Sequence, residues 1–373
     1  MPTLGQKKPM HYRRMPIEIE SPEEFGYDKV LYNLSESSVT DLNMRELSLS
    51  IGDLDLSYIP HRGHPEFRAA LATEAGLPHP DQVLITNGAA GALFIVNSAL
   101  LSADDHLIVV RPNYATNIEV PRAIGCGISC IDLTFEDKWR LDPQKIADAI
   151  RPNTKLISIT TPHNPTGMVM TNSEIDAVIA LAERHDLFLL VDETYRDAGF
   201  NTPYPAVASR SERVISVGSL SKAFGLPGLR TGWLLTQHAA LMETFLAAKE
   251  MIYISNSALD EAVAWQFYQQ KEQFLPAIQE KALRNLDILK RWLQTETRME
   301  AVLPEGGVVC FLRIKPGFQV DMDQFYHVLT HEYQTMVGPG HWFEMPDTYM
   351  RIGFGFTSAE VFEKGLACIG QAL

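Results

Sequence analysis

The run from Gly218 to Gly232 reads GSLSKAFGLPGLRTG. It holds two serines, a lysine and an arginine in a glycine-rich turn rather than on an amphipathic helix. A surface lysine needs no such frame. A lysine that forms a Schiff base does, because it must stand near one carbonyl carbon with a lowered pKa. Ser219, Ser221 and Arg230 add hydroxyl donors and a planar cation suited to a phosphate, which a guanidinium grips at two points. The run is not a P-loop, since no GK[ST] follows a four-residue gap.

Other chemistry-bearing residues stand just after short apolar runs. Leu189–Val191 ends in Asp192-Glu193-Thr194-Tyr195. A carboxylate at the end of a buried strand is costly unless it meets a cation or a donor. Two readings stay open for Asp192: a helix N-cap, or the partner of a protonated ring nitrogen on a bound cofactor. Ile85-Thr86 leads into Asn87-Gly88-Ala89-Ala90-Gly91, small residues that let the amides of a helix start approach an anion; simple packing is the more frequent reason for them. Tyr114, after Arg111-Pro112-Asn113, is placed either to stack on a planar ring or to cap the core with its hydroxyl in water. Asn164 lies between Pro162 and Pro165 in a turn that fixes its amide, and His163 beside it reads as a structural loop residue.

These residues need a scaffold that gathers strand ends. From Asp81 onward, apolar runs of four to six residues alternate with amphipathic stretches: strand-like at 82–86, 106–110, 128–133, 155–160, 187–191, 214–217 and 232–236, helical at 89–101, 143–150 and 173–185. That alternation predicts a parallel sheet covered on both faces, a doubly wound α/β domain with ligands at the carboxyl ends of its strands. After His238 the sequence is helical to about residue 295. A small α+β unit then follows, with strands at 308–314 and 349–354 and helices at 322–332 and 358–373. The expected division is an arm over 1–45 that joins the small domain, a large cofactor-binding domain over 46–280, and a small domain over 281–373.

Composition supports an enzyme-sized globular chain. Of 373 residues 46% are hydrophobic and 21% charged, which excludes disorder. The net charge of −14, with no basic run, argues against nucleic acid as a partner. No apolar stretch is long enough to span a membrane, and residues 1–20 lack the apolar core of a secretory signal. Cys126, Cys130, Cys310 and Cys368 form neither a disulfide pattern nor a zinc site, so they read as buried reduced thiols in a cytoplasmic protein, and no metal is expected.

Taken in order, Asn164-Pro165-Thr166-Gly167, Asp192-Glu193-Thr194-Tyr195 and Ser219–Gly232 resemble the class I/II aminotransferases. These are fold type I enzymes dependent on pyridoxal 5′-phosphate. The spacings fit as well, with 28 residues from Asn164 to Asp192 and 8 from Lys222 to Arg230. The resemblance runs from Asn33 to Phe356. It implies that Lys222 forms the Schiff base with the cofactor and that Asp192 pairs with its ring nitrogen. Tyr195 and Asn164 would bond the ring 3′-oxygen, and Tyr114 would stack on the ring. The amides of Ala89 and Ala90, with Ser219, Ser221 and Arg230, would hold the phosphate. Tyr58 would reach a neighbour's phosphate across a homodimer with shared active sites, and Arg351 would clamp the substrate α-carboxylate. The arm Asn33-Leu34-Ser35-Glu36-Ser37 would close over the substrate, with Ser37 standing where many relatives have glycine. Pro304-Glu305-Gly306-Gly307 would be a structural turn.

The implied reaction is transfer of an amino group between an α-amino acid and a 2-oxo acid. The same frame also serves lyases and cyclases, and several turns here are similar to those of capreomycidine synthase. His341-Trp342-Phe343-Glu344 is either pocket wall or small-domain packing. A non-catalytic cofactor-binding regulator is the remote alternative, disfavoured by the acidic charge and the absence of a DNA-binding segment ahead of the fold.

Overall fold

The computed structural model describes residues 9–198, 200 and 204–373. Among these, thirteen strands fall into three sheets. In chain order they are β1 (Tyr32–Asn33), β2 (Val83–Asn87), β3 (His106–Arg111), β4 (Gly127–Asp132), β5 (Thr154–Thr160), β6 (Phe188–Asp192), β7 (Val214–Ser219), β8 (Thr231–Thr236), β9 (Met299–Ala301), β10 (Val309–Ile314), β11 (Thr335–Met336), β12 (Gly338–Pro339) and β13 (Tyr349–Gly353).

The large sheet has the order β2-β8-β7-β6-β5-β3-β4. The run β7-β6-β5-β3-β4 is parallel throughout. Its strands are apolar on both faces because helices cover both; Leu156, Ile157, Leu189, Leu190, Val214 and Ile215 are fully buried. Each such side chain contributes about 1.5–3 kcal/mol of burial free energy. The sequence pattern did not reveal one feature. β8 runs antiparallel to both of its neighbours, β2 and β7, because the short turn after Ser219 returns the chain directly beside the strand it left.

Local signals set the helices. The helix Asn172–Arg184 begins in a capping box, in which Thr171 Oγ1 accepts from the Glu174 amide and Glu174 Oε2 accepts from the Thr171 amide. It buries Ile175, Val178, Ile179 and Ala182 against the sheet. The helix Gly88–Leu100 follows β2 without a break, so its amino end stands at a strand end.

The small sheet, β12-β13-β10-β9, is antiparallel; β9 and β12 were not anticipated, being only three and two residues long. The segment before β2 ties the two sheets together. β1 pairs with β11, and the Gly353 amide donates to Leu34 O at 2.8 Å. Further on, the Val39 amide donates to Lys222 O at 3.0 Å and the Leu42 amide to Gly225 O at 2.8 Å. Gly353 permits this approach: a Cβ there would lie 1.7 Å from Glu36 O. The four cysteines are free, as expected, but Cys130 and Cys368 are only half-buried. No helix among the described residues is long and apolar enough to cross a membrane.

Candidate active site

A cavity of about 640 Å³ opens at the carboxyl ends of β5, β6 and β7. The loops after those strands bring Asn164, Asp192, Tyr195, Ser219, Ser221, Lys222 and Arg230 to it. The helix start at 88 brings Ala89 and Ala90, the loop after β3 brings Tyr114, the arm brings Ser37, and β13 brings Arg351. Tyr58 is absent from this lining and lies on the surface, 80% exposed.

Asp192 is buried at the end of β6. Its Oδ1 accepts from the Thr194 amide (3.1 Å) and Thr194 Oγ1 (2.6 Å), and its Oδ2 accepts from Asn117 Nδ2 (3.1 Å). No cation reaches it among the described residues. Burial therefore pushes its carboxyl up, although those donors oppose the rise. Glu193 turns elsewhere, accepting from the Val207 amide, and burial pushes it up to about 7. Only one of the two adjacent acids lines the cavity.

Arg230 has a left-handed backbone, φ 48°, a conformation costly for a non-glycine residue. Its Nη1 donates to Pro227 O at 2.8 Å and lies 3.4 Å from Ser221 Oγ, and no carboxylate pairs with it among the described residues. Gly232, two residues on, packs directly on the helix start: a Cβ there would meet Gly88 C at 2.5 Å and Ala89 N at 2.7 Å. The guanidinium, two serine hydroxyls and the first amides of a helix are thereby brought to one corner.

Lys222 has a carboxylate neighbour that its own segment does not announce. Burial pushes its ammonium down, but Glu36, with Oε1 3.6 Å from Nζ, more than offsets this and leaves it above its ordinary value. The reverse holds at Glu36: burial raises its carboxyl, yet Lys222, the Ser37 amide and Arg351 hold it below the usual range.

Arg351 is buried in β13. Its Nη1 donates to Asn164 Oδ1 (3.1 Å), its Nη2 donates to Ser35 O (2.9 Å), and its Cζ stands 5.1 Å from the centre of the Phe343 ring. Its Nε is buried without a partner among the described residues. Tyr195 donates to Ser37 O at 2.8 Å. The two residues expected to meet a ring oxygen thus also contact Arg351 and the arm. Trp342 lines the cavity and donates to Glu20 at 2.6 Å. His341 faces away from it, its two ring nitrogens each 2.8 Å from a carboxylate, of Glu20 and of Asp347. His163 is buried, 2.8 Å from Thr166 Oγ1, and burial pushes it down to about 4, so it is neutral.

Sequence reasoning missed Asn117, whose only signal is its position one helical turn beyond Asn113. It also passed over Glu18 and Glu23 as cavity residues and gave Glu36 no role beyond its place in the arm; nothing local marks a surface glutamate such as Glu18 or Glu23 as one that will face a site.

The groups fit pyridoxal 5′-phosphate. A buried carboxylate without a cation suits a protonated ring nitrogen, and a guanidinium without a carboxylate, beside a helix start, suits a phosphate. The pattern for aminotransferase class I and II matches residues 32–364. Capreomycidine synthase from Streptomyces vinaceus is 29% identical over 317 residues, 84% of this chain and 80% of that one. Arginine–pyruvate transaminase from Pseudomonas aeruginosa is 28% identical over 239 residues, 63% of this chain and 61% of its own length. The crystal structure of a PLP-dependent aminotransferase from Streptococcus suis superposes with a TM-score of 0.87 at 28% identity, covering 95% of this chain and 96% of that one. With the match spanning both sheets and the cavity between them, the chain belongs to the class I and II aminotransferase family.

Proposed function

We propose that the protein is a pyridoxal-phosphate-dependent aminotransferase that moves an amino group from an α-amino acid to a 2-oxo acid. One observation carries the reading: Lys222, Asp192, Arg230 and Arg351 line a single cavity, with the Arg351 Nε unpartnered. The cofactor would be held by Arg230, Ser219, Ser221 and the Ala89 and Ala90 amides at its phosphate, by Asp192 at its ring nitrogen, and by Tyr114, Tyr195 and Asn164 around its ring. When bound, it supplies a carbonyl that captures the amino group and a ring that accepts the charge left on deprotonation.

The chain's own groups do the rest. Arg351 receives the α-carboxylate, its two partners Asn164 and Ser35 fixing the fork. Asp192 stays ionised once a cation stands beside it, which cancels the cost of its burial. Lys222 Nζ takes the proton from the substrate Cα and holds it for return, a task it performs only when neutral. The arm, stitched to β11 and to Lys222 O, keeps water from that proton.

We assign the protein to a homodimer in the cytoplasm. Tyr58 (80% exposed), Leu56 (82%) and Met251 (88%) form part of the surface offered to a second copy, where Tyr58 would reach the partner's phosphate site. The division into an arm over 1–45, a large domain over 46–280 and a small domain over 281–373 belongs to the same proposal. A second reading, a lyase or cyclase, is favoured by the likeness to capreomycidine synthase. One experiment separates them: the holoenzyme is mixed with single amino acids and followed by absorbance and product analysis. Conversion of the cofactor to its amine form, with one equivalent of 2-oxo acid, is the expected result. Ammonia, CO₂ or a cyclised product without amine transfer overturns the reading.

A further inference from the structure

Three carboxylates line the cavity without a part in the scheme above: Glu18, Glu23 and Glu36. Glu18 and Glu23 sit at its mouth on the short helices Pro16–Ile19 and Pro22–Phe25, and neither has an ion-pair partner among the described residues. Glu36 lies deeper, its side chain 15% exposed. The Ser37 amide (3.0 Å), Ser38 Oγ (3.3 Å) and Lys222 Nζ (3.6 Å) all approach its Oε1. Its Oε2 has no hydrogen bond among the described residues. A largely buried carboxylate that loses its cation is destabilising, and Lys222 cannot remain that cation while it serves the reacting centre.

The buried Arg351 guanidinium, with its Nε unpartnered, shows where a ligand carboxylate enters. A ligand anchored there extends into a space whose remaining charged lining is acidic. We propose that the amino acid taken by this site carries a cation, an ammonium or a guanidinium, on its side chain, received by Glu36 and drawn in by Glu18 and Glu23. The inference rests on the aminotransferase reading and names the substrate class within it. It also links recognition to catalysis. A substrate cation on Glu36 replaces the Lys222 ammonium and removes the charge that holds the proton on Nζ, so the correct side chain frees the base. A substrate with a side-chain carboxylate meets like charge instead and leaves Lys222 paired.

The test has two readouts. Amine transfer by the holoenzyme is followed by absorbance with L-arginine, L-lysine, L-ornithine, L-leucine and L-glutamate. Binding of 5-guanidinovalerate, hexanoate and glutarate is measured by calorimetry, with no turnover involved. The basic amino acids and guanidinovalerate are expected to be preferred by about tenfold or more, the size of one charge-assisted contact. Glu36→Gln is expected to erase most of that preference. Glu18→Gln and Glu23→Gln, at exposed positions that folding does not depend on, should lower it by roughly twofold each, less at high salt. Preference for leucine or glutamate, or three variants that leave the ratios unchanged, overturns the inference while amine transfer itself stands. Guanidinovalerate preference with no amine transfer from any amino acid overturns the aminotransferase reading and leaves the charge preference standing.

Discussion

On the large-sheet side of the cavity the polar groups stand at the ends of buried parallel strands. Asp192 closes β6, Ser219 closes β7, and Lys222 and Arg230 follow in the connection to β8. On the other side they come from far apart. Arg351, on β13, is held by Ser35 of the arm, 316 residues earlier, and by Asn164, 187 residues earlier. The first side is made by short segments whose geometry is local. The second exists only when the arm, the small sheet and the loop after β5 have docked together. The groups proposed for the cofactor are thus preorganised by strand packing, and those proposed for the substrate by docking of the arm, which leaves that side free to differ between proteins of one fold.

The largest expected effect tests the rigid side. Lys222→Ala should reduce turnover on the order of 10⁴-fold, since it removes the group that moves the Cα proton. A rate within tenfold of the original would break the assignment of chemistry to that side. Arg351→Lys tests the docked side. It keeps the charge but loses the fork that bridges Asn164, Ser35 and the incoming carboxylate. Losing a charge-assisted hydrogen bond of about 2 kcal/mol should raise KM roughly 30-fold with a smaller change in kcat. Equal losses in kcat and in kcat/KM would mean that Arg351 acts on the reacting atoms and not only in binding.

The smallest effect sharpens the comparison at the arm. Burial lowers the His341 pKa, but the carboxylates of Glu20 and Asp347 more than offset this and leave it raised. A raised folded-state pKa means a contribution fully present below about 6.5, the ordinary histidine value, and lost as pH rises through the higher folded value. The ring is 40% exposed, so water screens the pairs and the contribution is about 0.5 kcal/mol. His341→Leu should flatten the dependence of Tm on pH over that window. An unchanged slope would show that the arm is held without this clasp.

The same contrast explains what was legible beforehand. The strands of the large sheet and the Lys222 turn announce themselves because apolar runs, glycines and prolines are local signals. The reversal of β8 was not legible, since one short strand has the same composition whichever way it runs. The ion pair between Lys222 and Glu36 was not legible, because Glu36 belongs to a segment 186 positions away in sequence. Trp342 and His341 were not separable as wall and packing, since which neighbour faces a cavity depends on how the four-residue turn Gly340–Phe343 docks.

By itself the sequence determined the family resemblance, the alternation of strands and helices, and the candidates proposed to meet a phosphate, a ring nitrogen and a carbonyl. All of these follow from residue type and short spacing. The tertiary structure alone decided that Glu36 holds the Lys222 ammonium, that Arg351 is oriented by Asn164 and Ser35, and that Glu18 and Glu23 edge the same cavity. Such pairings arise from the docking of segments hundreds of residues apart, and their energies come from burial and charge at positions that no local pattern encodes.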